Sequence, residues 1–256
     1  MSKRIEDLLV TGNTRLNQRH FLLELKSDDA LPDMFPGQFA EVPVNDSPAT
    51  FLRRPFSIHE IIPASQLIRL LIQIKGPGTQ KLSQLQPGDK LNTIYPLGNS
   101  FSDPPIGRVL LVGGGCGVAP LLFLAQSLSS KGVKPDILIG GRTSDDLLEV
   151  ERYRQYGNVM LITEDGSEGE KGLVTDHSIL NREQLEYRMI YCCGPDPMMK
   201  AVAKIAGIHA IPCEVSLENT MACGFGVCLC CVTPTTSGNQ RVCVEGPVFN
   251  TKALLW

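Results

Sequence analysis

The chain has 256 residues, 43% apolar and 20% charged, with a mean hydropathy of +0.01 and a formal net charge of −3. That length exceeds one ordinary core and predicts two domains with a small appendage. The slight acidity argues against a general binder of nucleic acid or anionic membrane.

The opening "MSKRIEDLLVTGNTRL" has no apolar run of signal-peptide length, so a cytoplasmic protein is expected. Aliphatic and β-branched runs follow, "HFLLELK", "QFAEVPV", "LIRLLIQIK" and "KLNTIYPLG", punctuated by Pro, Gly, Asn and Asp. They predict a small antiparallel β-barrel over residues 1–103. Within it, "RRPFSI" puts a guanidinium and a hydroxyl three residues apart on one strand. Arg54 suits a phosphate and Ser57 a ring nitrogen; a solvated Arg and Ser is the plainer alternative. "KGPGT", residues 75–79, is either a glycine-lined approach to a cofactor or an ordinary turn.

From residue 104 the texture changes. "VLLVGGGCGVAPLLFLAQSL", residues 109–128, carries no charge and approaches membrane-spanning length. Three successive glycines and Pro120 make it a buried strand, a turn and a helix through Ser130 instead. "DILIGG", "NVMLITE" and "RMIYCCG" are further buried strands, with the helical "DDLLEVERYRQY" between the first two. Alternating strands and helices predict a parallel α/β layer over residues 104–208. Gly113, Gly114, Gly115 and Gly117 lie between strand and helix, where backbone N–H groups and the helix end can face a pyrophosphate. No P-loop lysine follows, and Val118 replaces the third glycine of the usual dinucleotide spacing, so a ligand-free turn is the alternative. "YCCGPDPMM" ends another strand, where ligands sit in open α/β sheets. Cys192 and Cys193 are alternatively small core residues.

Six of the nine cysteines follow Pro212. Such density and an odd total favour metal binding or catalysis over a disulfide frame. Cys223, Cys228 and Cys231 form C-x4-C-x2-C, and Cys243 follows after eleven residues. This is the plant-type spacing of a [2Fe–2S] cluster. Gly224 and Gly226 let the loop wrap and aim N–H groups at the sulfurs. Zinc prefers two close cysteine pairs, and a Cys228–Cys231 dithiol lacks thioredoxin context. The order is therefore iron–sulfur, then zinc, then unligated thiols. Cys230 points away from the cluster, Cys213 is structural, and residues 209–256 form a small cluster domain. Four scattered histidines and no nucleophile motif leave hydrolysis unsupported.

Barrel, R-x-x-S, glycine turn and "CGPDPMM" together resemble the ferredoxin–NADP reductase superfamily over residues 1 to about 208. The resemblance implies FAD at Arg54, Pro55, Phe56 and Ser57, with Leu71, Ile72, Gln73, Gly78 and Thr79 beside it. It implies a nicotinamide nucleotide at Gly113, Gly114, Gly115, Gly117, Asp165 of "EDGSEGEKGLVTD", Gly194 and Pro195. Cys193 of the C-G-P turn takes a place near the hydride path. Cys116 departs from the aliphatic residue common in that glycine turn, and Gln73 from a frequent Arg. The tail "SLENTMACGFGVCLCCV" resembles electron-transfer subunits of type B dihydroorotate dehydrogenases, over essentially the whole chain. That implies electrons passing from the FMN of a dihydroorotate dehydrogenase partner through [2Fe–2S] and FAD to NAD+, in a heterotetramer of pyrimidine biosynthesis. The acids after Arg142 disfavour a 2′-phosphate, hence NAD. Competing readings are a reductase subunit of a ferredoxin, hydrogenase or sulfide system, and a zinc-clipped nucleotide-binding module.

Overall fold

The computed structural model describes residues 3–45 and 50–256. Short runs rich in aliphatic and β-branched residues build Arg4–Arg15 (β1), His20–Lys26 (β2), Phe39–Val42 (β3), Arg54–Ile62 (β4) and Leu67–Gln73 (β5). After a short helix, Pro77–Leu82 (α1), Lys90–Leu97 (β6) closes an antiparallel barrel in the order β1–β2–β5–β4–β3–β6. Leu8, Val10, Phe21, Leu23, Leu25, Ile58 and Ile72 fill its interior. Leu22 and Leu71 point the other way, into the core of the second layer. The β2–β5 wall is therefore buried on both faces.

That second layer begins with Arg108–Gly114 (β7) and Ala119–Ser130 (α2), then Asp136–Gly141 (β8), Val150–Arg154 (α3), Asn158–Thr163 (β9) and Glu170–Lys171 (β10). Tyr187–Cys193 (β11), Asp196–Ile208 (α4) and Cys213–Ser216 (β12) follow. A small hairpin, Val232–Thr235 (β13) and Gly238–Arg241 (β14), precedes Val248–Asn250 (β15). The seven-stranded sheet runs β10–β9–β8–β7–β11–β12–β15, parallel except for β15. The chain starts at β7, works outward through β8 and β9, then returns to β11 on the opposite side. β7 and β11 thus flank a topological switch point, where open α/β sheets bind ligands. Gly113 pairs with Cys193 across it.

Two expectations need adjustment. Residues 145–156 hold only the five-residue α3 after a 3-10 turn, Ser144–Asp146. Glu149 interrupts the helix at φ 57°, because its carboxylate is drawn to Arg152 at 2.7 Å and to His59 at 3.5 Å. Tertiary contact overrides propensity there. Residues 209–256 also contribute β12 and β15 to the α/β sheet, so both ends of that segment are sewn into the preceding layer. Asn99, just past the barrel, pins the return: its amide donates to Glu245 O and Val248 O, and its Oδ1 accepts from Val248 N.

Candidate functional site

A cavity of about 610 Å³ opens beside β4 and β5. Arg54, Pro55, Phe56 and Ser57 form one side, and Leu71, Gln73, Gly78 and Thr79 another. The Thr79 hydroxyl accepts from Lys75 N at 2.9 Å and Gly76 N at 3.3 Å, which shapes the turn before α1. A Cβ on Gly78 would come within 3.2 Å of Val44 Cγ2, so the glycine lets this turn pack closely against Val44, with the Arg54 guanidinium at ordinary contact distance. Ile72 does not join them. Its side chain lies fully buried in the barrel interior, because neighbours on a strand face opposite ways.

A second cavity, about 730 Å³, lies over the switch point. Gly114, Gly115, Gly117, Gly194 and Pro195 line it. A Cβ on Gly117 would come within 2.4 Å of Gly194 Cα, so only glycine lets the two turns touch. Gly113 sits behind this wall, its Cα side closed by Val118. Asp165 stays outside: exposed, it accepts from Ser167 N at 2.9 Å and Ser167 Oγ at 2.6 Å, bonds that lower its pKa, while Glu164 lines the cavity. Cys193 is 2% exposed and also lies behind the wall, its thiol donating to Ser216 O at 3.5 Å. Burial pushes that thiol far up and keeps it neutral.

Gln73, Lys75, Cys116 and Glu218 line both cavities, which therefore meet at a common wall. Lys75 Nζ stands 3.6 Å from Glu218 Oε2 across it. Burial pushes the Cys116 thiol up to about 12, so it presents an uncharged surface. Neither Glu218 nor Lys75 was legible as a wall residue; only the fold brings the barrel turn against the tail.

Past Glu218 the chain enters the cysteine loop. The Cys223 thiol pairs with that of Cys228, and Cys243 with Cys231. Among the described residues no three metal-ligating side chains converge on one point; the thiols stand as two pairs. Two pairs suit a two-iron cluster, which takes two thiolates per iron. Backbone N–H groups already face sulfur: Cys230 N to Cys228 Sγ at 3.5 Å, and Cys243 N to Cys231 Sγ at 3.4 Å. Burial raises the Cys223 thiol, but N–H groups of Cys228, Phe225 and Val227 bring it down to about 6. Gly224 and Gly226 turn the loop at φ 74° and 88°, where a side chain would be strained. Arg241 clamps the loop, donating to Gly226 O at 3.1 Å while held by Glu245. The donor set and its N–H groups fit an iron–sulfur cluster. Beneath Gly224 lies Glu41, fully buried, neither oxygen hydrogen-bonded, its pKa raised to about 7 by burial and the Cys223 charge. Sequence reading gave no signal for it.

Residues 218–255 match the family model "Iron-sulfur cluster binding domain of dihydroorotate dehydrogenase B", and residues 111–204 match "Oxidoreductase NAD-binding domain". The dihydroorotate dehydrogenase B (NAD(+)) electron transfer subunit of Fusobacterium nucleatum is 33% identical over 255 residues, 96% of each chain. That of Caldanaerobacter subterraneus subsp. tengcongensis is 40% identical, covering 86% of this chain and 87% of its own. This chain belongs to the dihydroorotate dehydrogenase B electron transfer subunit family. As in that family, it is an NAD-linked oxidoreductase subunit with FAD, [2Fe–2S] and NAD as cofactors. The zinc-clipped reading falls away with that. A solved NADH-dependent reduced ferredoxin–NADP oxidoreductase is also similar, with TM-score 0.88 and 29% identity, covering 98% of this chain and 90% of its own. The FAD/NAD-binding domain of a Vibrio cholerae nitric oxide dioxygenase shares the fold alone, at TM-score 0.69 and 18% identity over 83% of this chain and 99% of its own. No helix among the described residues is long and apolar enough to cross a membrane.

Proposed function

We propose that this chain takes electrons from an FMN-bearing dihydroorotate dehydrogenase subunit, in a cytoplasmic heterotetramer with it, and delivers them to NAD+. One observation carries the reading: the sites follow one another without a gap. The nucleotide cavity shares a wall with the flavin cavity, and Met221 of the flavin cavity is two residues from Cys223. FAD, when bound, exchanges electrons in pairs with a nicotinamide and singly with a cluster. The chain's own residues hold the parts in place. Arg54 meets the flavin phosphate and Ser57 the ring system. The backbone of residues 114–117 faces the pyrophosphate, and Cys193 supports that floor from behind as a neutral thiol. Phe225, Val227 and Leu229, all exposed around the cysteine loop, leave an apolar rim for the partner to cover. Nine free cysteines suit a reducing compartment.

The deciding assay is NADH formation from dihydroorotate. The isolated chain is expected to oxidise NADH with artificial acceptors and to leave dihydroorotate untouched. Adding the FMN-containing partner connects dihydroorotate to NAD+, and a cluster-free variant breaks that link while keeping direct flavin reduction by NADH. Dihydroorotate turnover by the isolated chain, or full coupling without the cluster, counts against the scheme. The likeness to the ferredoxin–NADP oxidoreductase favours a second reading, service to a ferredoxin system. Reduced ferredoxin in place of the partner tests it in the same assay.

Arg54→Ala is expected to weaken FAD by about 1.5–3 kcal/mol, the loss of a charge-assisted phosphate bond. Flavin release during dialysis measures this, and unchanged retention returns Arg54 to a solvated role.

A further inference from the structure

Among the described residues, the wall of the nucleotide cavity holds one buried side-chain polar atom without a hydrogen-bond partner. His20, at the start of β2, is 1% exposed, lines that cavity and pairs with Gln73 of the common wall. Its Nδ1 lies 3.0 Å from Asn17 Oδ1, and its Nε2 is buried without any partner.

The tautomer follows from the neighbours. Asn17 Nδ2 donates to Asp145 O at 2.5 Å, which fixes the amide so that Oδ1 faces His20. Oδ1 also accepts from Arg19 N at 2.9 Å and His20 N at 2.8 Å. An amide oxygen only accepts, so Nδ1 carries the proton and Nε2 presents a lone pair. Burial lowers the His20 pKa, with Arg19 and Lys75 adding to it and Asp146 opposing, so the ring is neutral. A buried acceptor left without a donor is destabilising, and ligand sites are where such gaps are closed. Phosphate oxygens cannot close this one, because they carry no hydrogen at neutral pH. A ribose hydroxyl, the nicotinamide carboxamide or the adenine amine can.

We propose that His20 is a dinucleotide-binding residue of this chain, accepting at Nε2 a hydrogen bond from an O–H or N–H donor of bound NAD. This rests on reading the cavity as the NAD site. It makes the β1–β2 turn of the barrel part of the nucleotide site, joined to the loop after β8 by Asn17 and by the Arg19–Asp146 ion pair at 3.1 Å.

The test uses the oxidised FAD- and cluster-loaded chain and titrates NAD+ and ADP by calorimetry. His20→Asn keeps a donor near the Nδ1 position for Asn17 but has no acceptor near Nε2. His20→Gln places an amide oxygen near Nε2. NAD+ is expected to bind His20→Asn about tenfold more weakly, the worth of one hydrogen bond, with His20→Gln close to wild type. In NADH oxidation KM rises while kcat holds. Weakening of NAD+ alone assigns the donor to the nicotinamide riboside; weakening of ADP as well assigns it to the ADP half. Wild-type affinity in His20→Asn overturns the proposal. So does equal weakening in both variants, which tracks the ring's packing and not its acceptor. Failure of the wild-type chain itself to bind NAD+ overturns the reading of the cavity instead.

Discussion

Alanine at Cys223, Cys228, Cys231 or Cys243 is expected to abolish the cluster, while Cys230→Ala keeps it. The four differ in exposure, Cys228 being exposed and Cys231 and Cys243 buried, yet they stand as two thiol pairs. Removing one member would leave one iron short of a thiolate. Cys230 is exposed, and its tie to the site is its backbone N–H to Cys228 Sγ. Alanine keeps that N–H. Cys213 belongs to β12, with its side chain buried in the α/β core, so its replacement also spares the cluster. Iron and labile-sulfide content with visible absorption measure the outcome. Cys230→Ala losing iron as fully as the four sinks this ligand assignment.

The cysteine spacing behind that expectation is local information, legible along one loop. The same holds for β2 and β8, whose predicted runs coincide with the strands found. β1 was harder to single out: Glu6 and Asp7 interrupt its apolar pattern, and its strand character is fixed by pairing with β2 and β6. The breaks in the reading are non-local. Glu149 leaves the helical conformation for a contact with a barrel histidine ninety positions earlier in the chain. Ile72 and Leu71 are adjacent in sequence and face different cores. Cys193 carries the motif but sits behind the wall, because β12 comes up beside β11 and Ser216 O takes its thiol. Glu41 and His20 carried no signal at all. Each is distinguished only by a polar atom that the fold buries and leaves unmatched.

A marked loss of stability is expected from Arg152→Ala. Arg152 of α3 donates to Glu149 at 2.7 Å and to Glu60 of β4 at 2.5 Å. Glu60, 6% exposed, also accepts from Arg69 at 2.7 Å and from Gln126 at 2.5 Å, and Arg69 continues to Glu24 at 2.6 Å. Beside them His59, fully buried, donates from Nδ1 to Ala119 O at 2.7 Å. A charged seam thus helps to join barrel and α/β layer close to the helix that follows the glycine turn. Deleting its central guanidinium leaves two carboxylates under-compensated in a poorly solvated place. The expected cost at neutral pH is about 2–3 kcal/mol, at or below the low end for a broken buried pair because Arg152 is 23% exposed. Its pH dependence identifies the cause. Burial alone raises the Glu149 pKa, yet His59 and Arg152 hold it at about 2, below its ordinary 4.5. The unfolded chain therefore binds more protons between those values. The seam's contribution is complete above 4.5 and is lost as pH falls towards 2. Urea unfolding at pH 7 and pH 3 should show the gap between wild type and Arg152→Ala narrowing at the lower pH. A gap of the same size at both would mean that Arg152 acts by packing its alkyl stem, and that the charges across the seam contribute nothing net.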